Sequence, residues 1–140
     1  MNDASRYNIC VDFSPNSSTE FQPVFNSAAL RWMEFLPTSL GSISWSFLEE
    51  IFGITREQLC GYSTSFDDTI DDLDICSSIE LIDGVGRVLG AAGPFFFRST
   101  GPSIAGIMRF DSDDIARLAA QGQLEDVIVH EMGHVLGIGT

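Results

Sequence analysis

Residues 124–140 read LEDVIVHEMGHVLGIGT and contain both histidines of the chain, His130 and His134. Glu131 follows the first histidine, which completes the pattern H-E-x-x-H. Apolar residues flank this pattern on both sides, and Gly137 can end a helix in a left-handed conformation that turns the chain sharply. The stretch therefore predicts a C-terminal helix that carries a polar site.

Two histidines four residues apart lie one helical turn apart, so both imidazoles project from the same face and can reach one zinc ion. Glu131 lies about 100° further round the helix, beside the ion rather than on it, where a carboxylate acts as general base toward water. Because the helix is apolar around much of its circumference, we expect it to be buried, where an unpaired His–Glu–His cluster is unfavourable. Gly133 within the helix predicts close packing against the backbone. These residues predict a metal site with His130 and His134 as ligands and Glu131 as the base.

Apolar periodicity predicts three further helices upstream: residues 28–36, a short piece at residues 45–52, and residues 112 to about 121. Asn26 or Ser27 is placed to cap the first helix and Pro37 to stop it, while Asp111 or Ser112 is placed to cap the third. The second lies within a turn-rich connection, residues 42–65, that has no strong pattern of its own.

Four extended segments predict one sheet. Residues 73–82 read as a strand, the turn at residues 83–86 lets residues 88–92 pair back as a second strand, and residues 94–98 and 104–110 follow. The sequence therefore predicts an α+β domain.

An acidic cluster precedes the first of these strands and consists of Asp67, Asp68, Asp71, Asp72 and Asp74. A calcium loop is one interpretation, but the D-x-[DN]-x-[DN]-G spacing is absent. The cluster is therefore interpreted as a solvated loop, and no calcium site is predicted.

Composition narrows the class of partner. The chain has 140 residues, enough for one domain or part of a larger one, and 7 basic against 20 acidic residues give a net charge of −13. This charge argues against nucleic acid and anionic membranes as partners, and no apolar run is long enough to span a bilayer. The chain has three cysteines, so at least one has no disulfide partner within it: Cys10, Cys60 and Cys76. They do not decide whether the protein resides in an oxidising or a reducing compartment.

Residues 130–140 (HEMGHVLGIGT) resemble the zinc helix of the leishmanolysin-like metalloproteases, within the metzincin group of zinc endopeptidases. Segments in the same order upstream are also similar to that family: residues 29–32 (ALRW), 82–86 (IDGVG), 88–90 (VLG), 92–94 (AGP), 106–112 (GIMRFDS) and 124–128 (LEDVI). The resemblance covers about residues 25–140 and is weakest over residues 42–65.

The resemblance implies that His130 and His134 ligate Zn²⁺, that Glu131 activates water, and that the reaction is hydrolysis of protein or peptide substrates. It implies a secreted or cell-surface enzyme, although the first residues carry no signal peptide. Thr140 stands where metzincins generally have a third histidine. In leishmanolysin-like enzymes the third histidine lies further downstream in the sequence, as does a methionine turn beneath the metal.

We therefore expect an α+β, zincin- or metzincin-like half-domain over residues 25–140. It has a twisted mixed sheet, packed helices and a C-terminal zinc-binding helix, and a poorly ordered extension, residues 1–24, precedes it. Such a fragment lacks the third zinc ligand and is expected to bind zinc weakly. Two alternatives stay open: a truncated, inactive relative that serves as a zinc- or protein-binding module, and a different H-E-x-x-H hydrolase with a downstream glutamate ligand. The turn at Gly137 favours the metzincin geometry over the latter.

Overall fold

The structure, a computed structural model, describes residues 6–36, 38–81 and 90–138. Its elements in chain order are β1 (Ile9–Phe13), α1 (Gln22–Phe35), β2 (Ser42–Ser44), α2 (Trp45–Phe52), α3 (Arg56–Cys60), β3 (Thr69–Asp71), β4 (Leu73–Glu80), β5 (Gly90–Phe97), β6 (Ser103–Asp111), α4 (Ser112–Ala120) and α5 (Leu124–Val135). The α+β class, with a mixed sheet and packed helices, is confirmed. Over the described ranges, no helix is long and apolar enough to cross a membrane.

The main sheet has the strand order β1-β4-β6-β5. Strands β1 and β6 both run parallel to β4, and β5 runs antiparallel to β6. A separate small sheet pairs β2 with β3. Strand β4 is therefore central, and its residues are buried on both faces except at two half-buried positions, as a central parallel strand requires.

The expected hairpin between residues 73–82 and 88–92 is wrong, because β5 pairs with β6 and not with β4. The two segments predicted at residues 88–92 and 94–98 belong, from Gly90 onward, to the single strand β5. The turn at residues 83–86 lies outside the described residues.

The N-terminal region also differs from expectation. Within residues 1–24, expected to be a poorly ordered extension, Ile9–Phe13 form an edge strand of the main sheet, and Ile9 is fully buried. Helix α1 begins at Gln22, so Asn26 and Ser27 lie inside the helix and do not cap it. Pro23 is tolerated in the first turn, where its missing N–H has no helical acceptor.

The main core lies between one face of the sheet and helices α1, α4 and α5. Phe25 of α1 is fully buried there, with edge-to-face contacts to Phe13 and Phe110 at ring-centroid distances of 5.1 and 5.5 Å. Helix α4 begins where the sequence predicts, with the Asp111 side chain accepting a hydrogen bond from the Asp113 backbone N–H. Helix α1 ends at Phe35, one residue earlier than the predicted end at Leu36.

A second, smaller core of α2, α3 and the β2–β3 sheet packs on the opposite face. The predicted piece at residues 45–52 is confirmed as α2. Cys76 of β4 forms a disulfide with Cys60 of α3, while Cys10 is a free cysteine.

Two members of the acidic cluster are buried rather than solvated. Asp72 is fully buried and accepts hydrogen bonds from the Asn8 backbone N–H and the Ser39 hydroxyl. Asp74 is 2% exposed and accepts a hydrogen bond from Nε1 of Trp45 at 2.8 Å. Asp74 is buried because α2 packs over this face of β4, a contact that no local pattern reveals.

Candidate metal centre

Helix α5 is anchored by one apolar stripe. Leu124, Ile128, Met132 and Val135 are buried against the main core, at spacings of four, four and three residues. Glu125 and Asp126 lie in the first turn, where negative charge is favourable at the positive end of the helix dipole.

The side chains of His130, Glu131 and His134 converge on the face of α5 away from this stripe. One ligand atom from each lies within 4.8 Å of the others. The two imidazole rings are 4.8 Å apart between centroids and nearly perpendicular. The structure therefore brings together all three residues that the sequence singles out.

The expected burial of this cluster is wrong. His130 is exposed, and Glu131 and His134 are half-buried. His130 and Glu131 line an open recess of about 430 Å³, together with Gln123, Asp126 and Val127. The apolar residues beside the motif, such as Val127, are only partly covered, because a single helix face meets the core. Solvent therefore has access to the cluster.

The donor set fits a zinc ion. Two imidazole nitrogens and a carboxylate are ligand types that zinc accepts, and the spacing of the two histidines suits one tetrahedral ion. In the part of the chain that the structure describes, no other group of three His, Cys, Asp or Glu side chains converges in this way. The overall net charge of −13 further favours the binding of a cation.

The glycines of the motif behave as predicted. Gly133 is buried, and a Cβ built on it would lie 3.1 Å from Cζ2 of Trp32, so an indole packs directly on the backbone there. Gly137 adopts φ +87°, and the Ile138 N–H donates to the Gly133 carbonyl at 2.8 Å. This left-handed turn ends α5 as expected. Thr140 lies outside the described residues.

Three residues that position α5 were not singled out by sequence reasoning. The Nε1 of Trp32 donates to the Val129 carbonyl at 2.9 Å, and the buried Ser103 hydroxyl donates to the Val135 carbonyl at 2.7 Å. Gly106 of β6 leaves room for the Val135 side chain, which a Cβ at that position would strike. Trp32 and Gly106 lie in segments that the resemblance includes, whereas nothing in the sequence marks Ser103.

No protein-family model, curated protein or solved structure matches the chain.

Proposed function

We propose that the chain forms the N-terminal part of a zinc-dependent metalloendopeptidase domain of the metzincin type. His130 and His134 hold the ion, and Glu131 is the general base. The observation that carries the proposal is the convergence of these three side chains on the solvent-accessible face of a helix whose opposite face is fixed in the core. The sequence resemblance to leishmanolysin-like enzymes adds the reaction class, peptide hydrolysis.

A zinc ion held by His130 and His134 would supply Lewis acidity, which would make water a better nucleophile and stabilise negative charge on a carbonyl oxygen. Glu131 takes a proton from the attacking water and returns it to the leaving amine. Its position suits this role, because its carboxylate lies within 4.8 Å of the ligand atoms of both histidines and faces the open recess.

The neighbouring sheet edge suits an extended peptide substrate. Strand β5 is the last strand of the described sheet and packs against α5. An edge strand leaves backbone N–H and C=O groups for pairing with an added strand. A substrate bound in this way lies alongside the helix that carries Glu131.

The disulfide between Cys60 and Cys76 supports an extracytoplasmic location. Disulfides form and persist mainly in secreted and surface proteins. We therefore propose a secreted or cell-surface enzyme.

A second candidate function is a non-catalytic metal-binding module. A catalytic zinc site takes three protein ligands and keeps an open position, and in the described residues two imidazoles converge, with Glu131 beside them. In this alternative the ion is bound but no peptide is cleaved.

Metal stoichiometry and proteolysis measured together separate these candidates. The unaltered chain is expected to bind Zn²⁺ or Co²⁺ weakly, and His130→Ala and His134→Ala are expected to lose that binding. Glu131→Ala is expected to keep the metal and lose hydrolysis of a denatured protein substrate. Glu125→Ala, on the same helix, is the matched control and should resemble the unaltered chain.

Metal binding that both histidine variants retain would refute the site. Hydrolysis by the unaltered chain that Glu131→Ala abolishes at unchanged metal content would refute the second candidate.

A further inference from the structure

One side chain outside the motif touches both turns of α5 that bear the histidines. The indole of Trp32, on α1, donates its Nε1–H to the carbonyl of Val129, the residue before His130. The six-membered ring of the same indole packs on Gly133, the residue before His134. Its Cζ2, Cη2 and Cε2 atoms lie 3.1 to 4.0 Å from the point where a Cβ built on Gly133 would lie. A single rigid group therefore spans the backbone between the two histidines.

Trp32 is itself fixed in place by the packing of helix α1. Helix α1 is fixed on the sheet by the buried residues Phe25, Ala28, Ala29 and Met33. The Phe35 ring meets the indole edge-on at a centroid distance of 6.3 Å. The contact of Trp32 with α5 is thus made from a helix with its own place in the core, and not from a mobile loop.

The part of α5 that Trp32 contacts includes the last turn of the helix. The helix ends at Val135, one residue after His134, so the second histidine lies in the last turn, where helices fray. In an α-helix the Val129 carbonyl accepts from the N–H of Gly133, so the indole N–H is a second donor to the same oxygen. Because Gly133 has no side chain, the ring approaches the backbone closely enough to restrict that turn.

We propose that Trp32 is a positioning residue of the metal centre, which holds the two turns of α5 so that the imidazoles of His130 and His134 point at one ion. The inference rests on the proposed function, since it assumes that these histidines bind a metal. Groups that orient metal ligands without touching the metal commonly contribute 10- to 100-fold to metal affinity. Trp32 has no ionisable group and acts through backbone contacts.

The test compares Trp32→Phe with Trp45→Phe in the full chain. Both variants replace an indole that donates one hydrogen bond, but Trp45 donates to Asp74 on the opposite face of the sheet. The probe is Co²⁺, followed by its visible absorption during titration, with circular dichroism as a check that each variant is folded. We expect Co²⁺ to bind Trp32→Phe roughly tenfold more weakly than the unaltered chain, and Trp45→Phe within about twofold of it.

Gly133→Ala gives a second, independent test if the tryptophan variants are too unstable. Alanine favours helix formation, so helix propensity alone predicts that α5 becomes more stable and that the Co²⁺ affinity is unchanged or higher. The added methyl, at 3.1 Å from Cζ2, instead requires the indole to shift by a few tenths of an ångström, so the proposal predicts weaker Co²⁺ binding.

The outcomes separate the two levels of the hypothesis. If the unaltered chain binds Co²⁺ and Trp32→Phe and Gly133→Ala bind it equally well, the role of Trp32 is refuted and the metal site stands. If the unaltered chain binds Co²⁺ no better than His130→Ala and His134→Ala, the metal site itself is refuted, and the role of Trp32 with it.

Discussion

Replacement of Asp74 by asparagine is expected to remove a pH dependence of folding. Asp74 is 2% exposed in the centre of the sheet, and this burial raises the pKa of its carboxyl group to about 7. The nearby carboxylates of Asp67 and Asp12 also raise this pKa, whereas the hydrogen bond from Trp45 and the charge of Arg56 lower it. Burial is the largest cause, so the folded state favours the protonated acid.

The sign and size of the effect follow from the two pKa values. The ordinary pKa is 3.8 and the folded value is about 7, so the folded chain binds this proton more tightly than the unfolded chain. Well below pH 3.8 both states are protonated and the carboxyl imposes no penalty. As the pH rises to about 7, the free energy of unfolding falls, by about 4 kcal/mol at most, since each pKa unit is worth about 1.4 kcal/mol.

Urea unfolding at pH 5 and pH 8, followed by far-ultraviolet circular dichroism, measures this change. Asparagine is neutral at both pH values, and its side-chain oxygen can still accept from Trp45. We expect Asp74→Asn to be more stable than the unaltered chain at pH 8 and to lose less stability between the two pH values. Asp113→Asn, at an exposed aspartate, is the control. Parallel pH profiles for the unaltered chain and Asp74→Asn would refute the argument.

Three further predictions concern the packing around the sheet. Replacing Cys60 and Cys76 together by alanine opens a loop of about 16 residues and should lower the free energy of unfolding by about 3 kcal/mol in urea titrations, whereas an unchanged midpoint would contradict a stabilising disulfide. Ser103→Ala leaves the buried Val135 carbonyl without its hydroxyl donor and should lower the free energy of unfolding by about 1 to 3 kcal/mol. Backbone amides at the end of α5 should also exchange faster with solvent, and unaltered exchange would contradict this role of Ser103. Gly106→Ala places a methyl against the Val135 side chain. It should lower the free energy of unfolding by about 1 to 3 kcal/mol and the melting temperature by several degrees. A stability equal to that of the unaltered chain would show that α5 can shift to make room for the methyl.

Features of the fold with a local cause could be predicted from the sequence. The cap at Asp111, the left-handed turn at Gly137 and the close approach at Gly133 each depend on neighbouring residues or on the absence of one side chain. The convergence of His130 and His134 is equally local, because helical geometry alone fixes the distance between positions four apart.

Features that depend on distant partners could not be predicted. Strand β1 has little pattern of its own and is stabilised by pairing with β4, more than sixty residues later. The β4 sequence alternates polar and apolar residues as a half-exposed hairpin strand does, but its polar side is covered by α2 and α3. Trp45 and Cys60 reach Asp74 and Cys76 there and give those polar positions buried partners. The expected hairpin, and the expected solvation of Asp72 and Asp74, are wrong because distant partners determine both.

The exposure of His130 changes the physical argument for a metal site. An argument from burial would treat His130, Glu131 and His134 as polar groups that need an ion to compensate their loss of water, but the cluster keeps access to solvent. The cluster therefore does not need an ion in order to be stable, but its geometry suits the binding of one. The buried stripe of α5, together with Trp32 and Ser103, fixes the helix on its inner side, so the outer side can present two imidazoles and a carboxylate without those groups contributing to folding. Replacing His130 should consequently change metal binding far more than stability, which is the behaviour of a functional residue rather than a structural one.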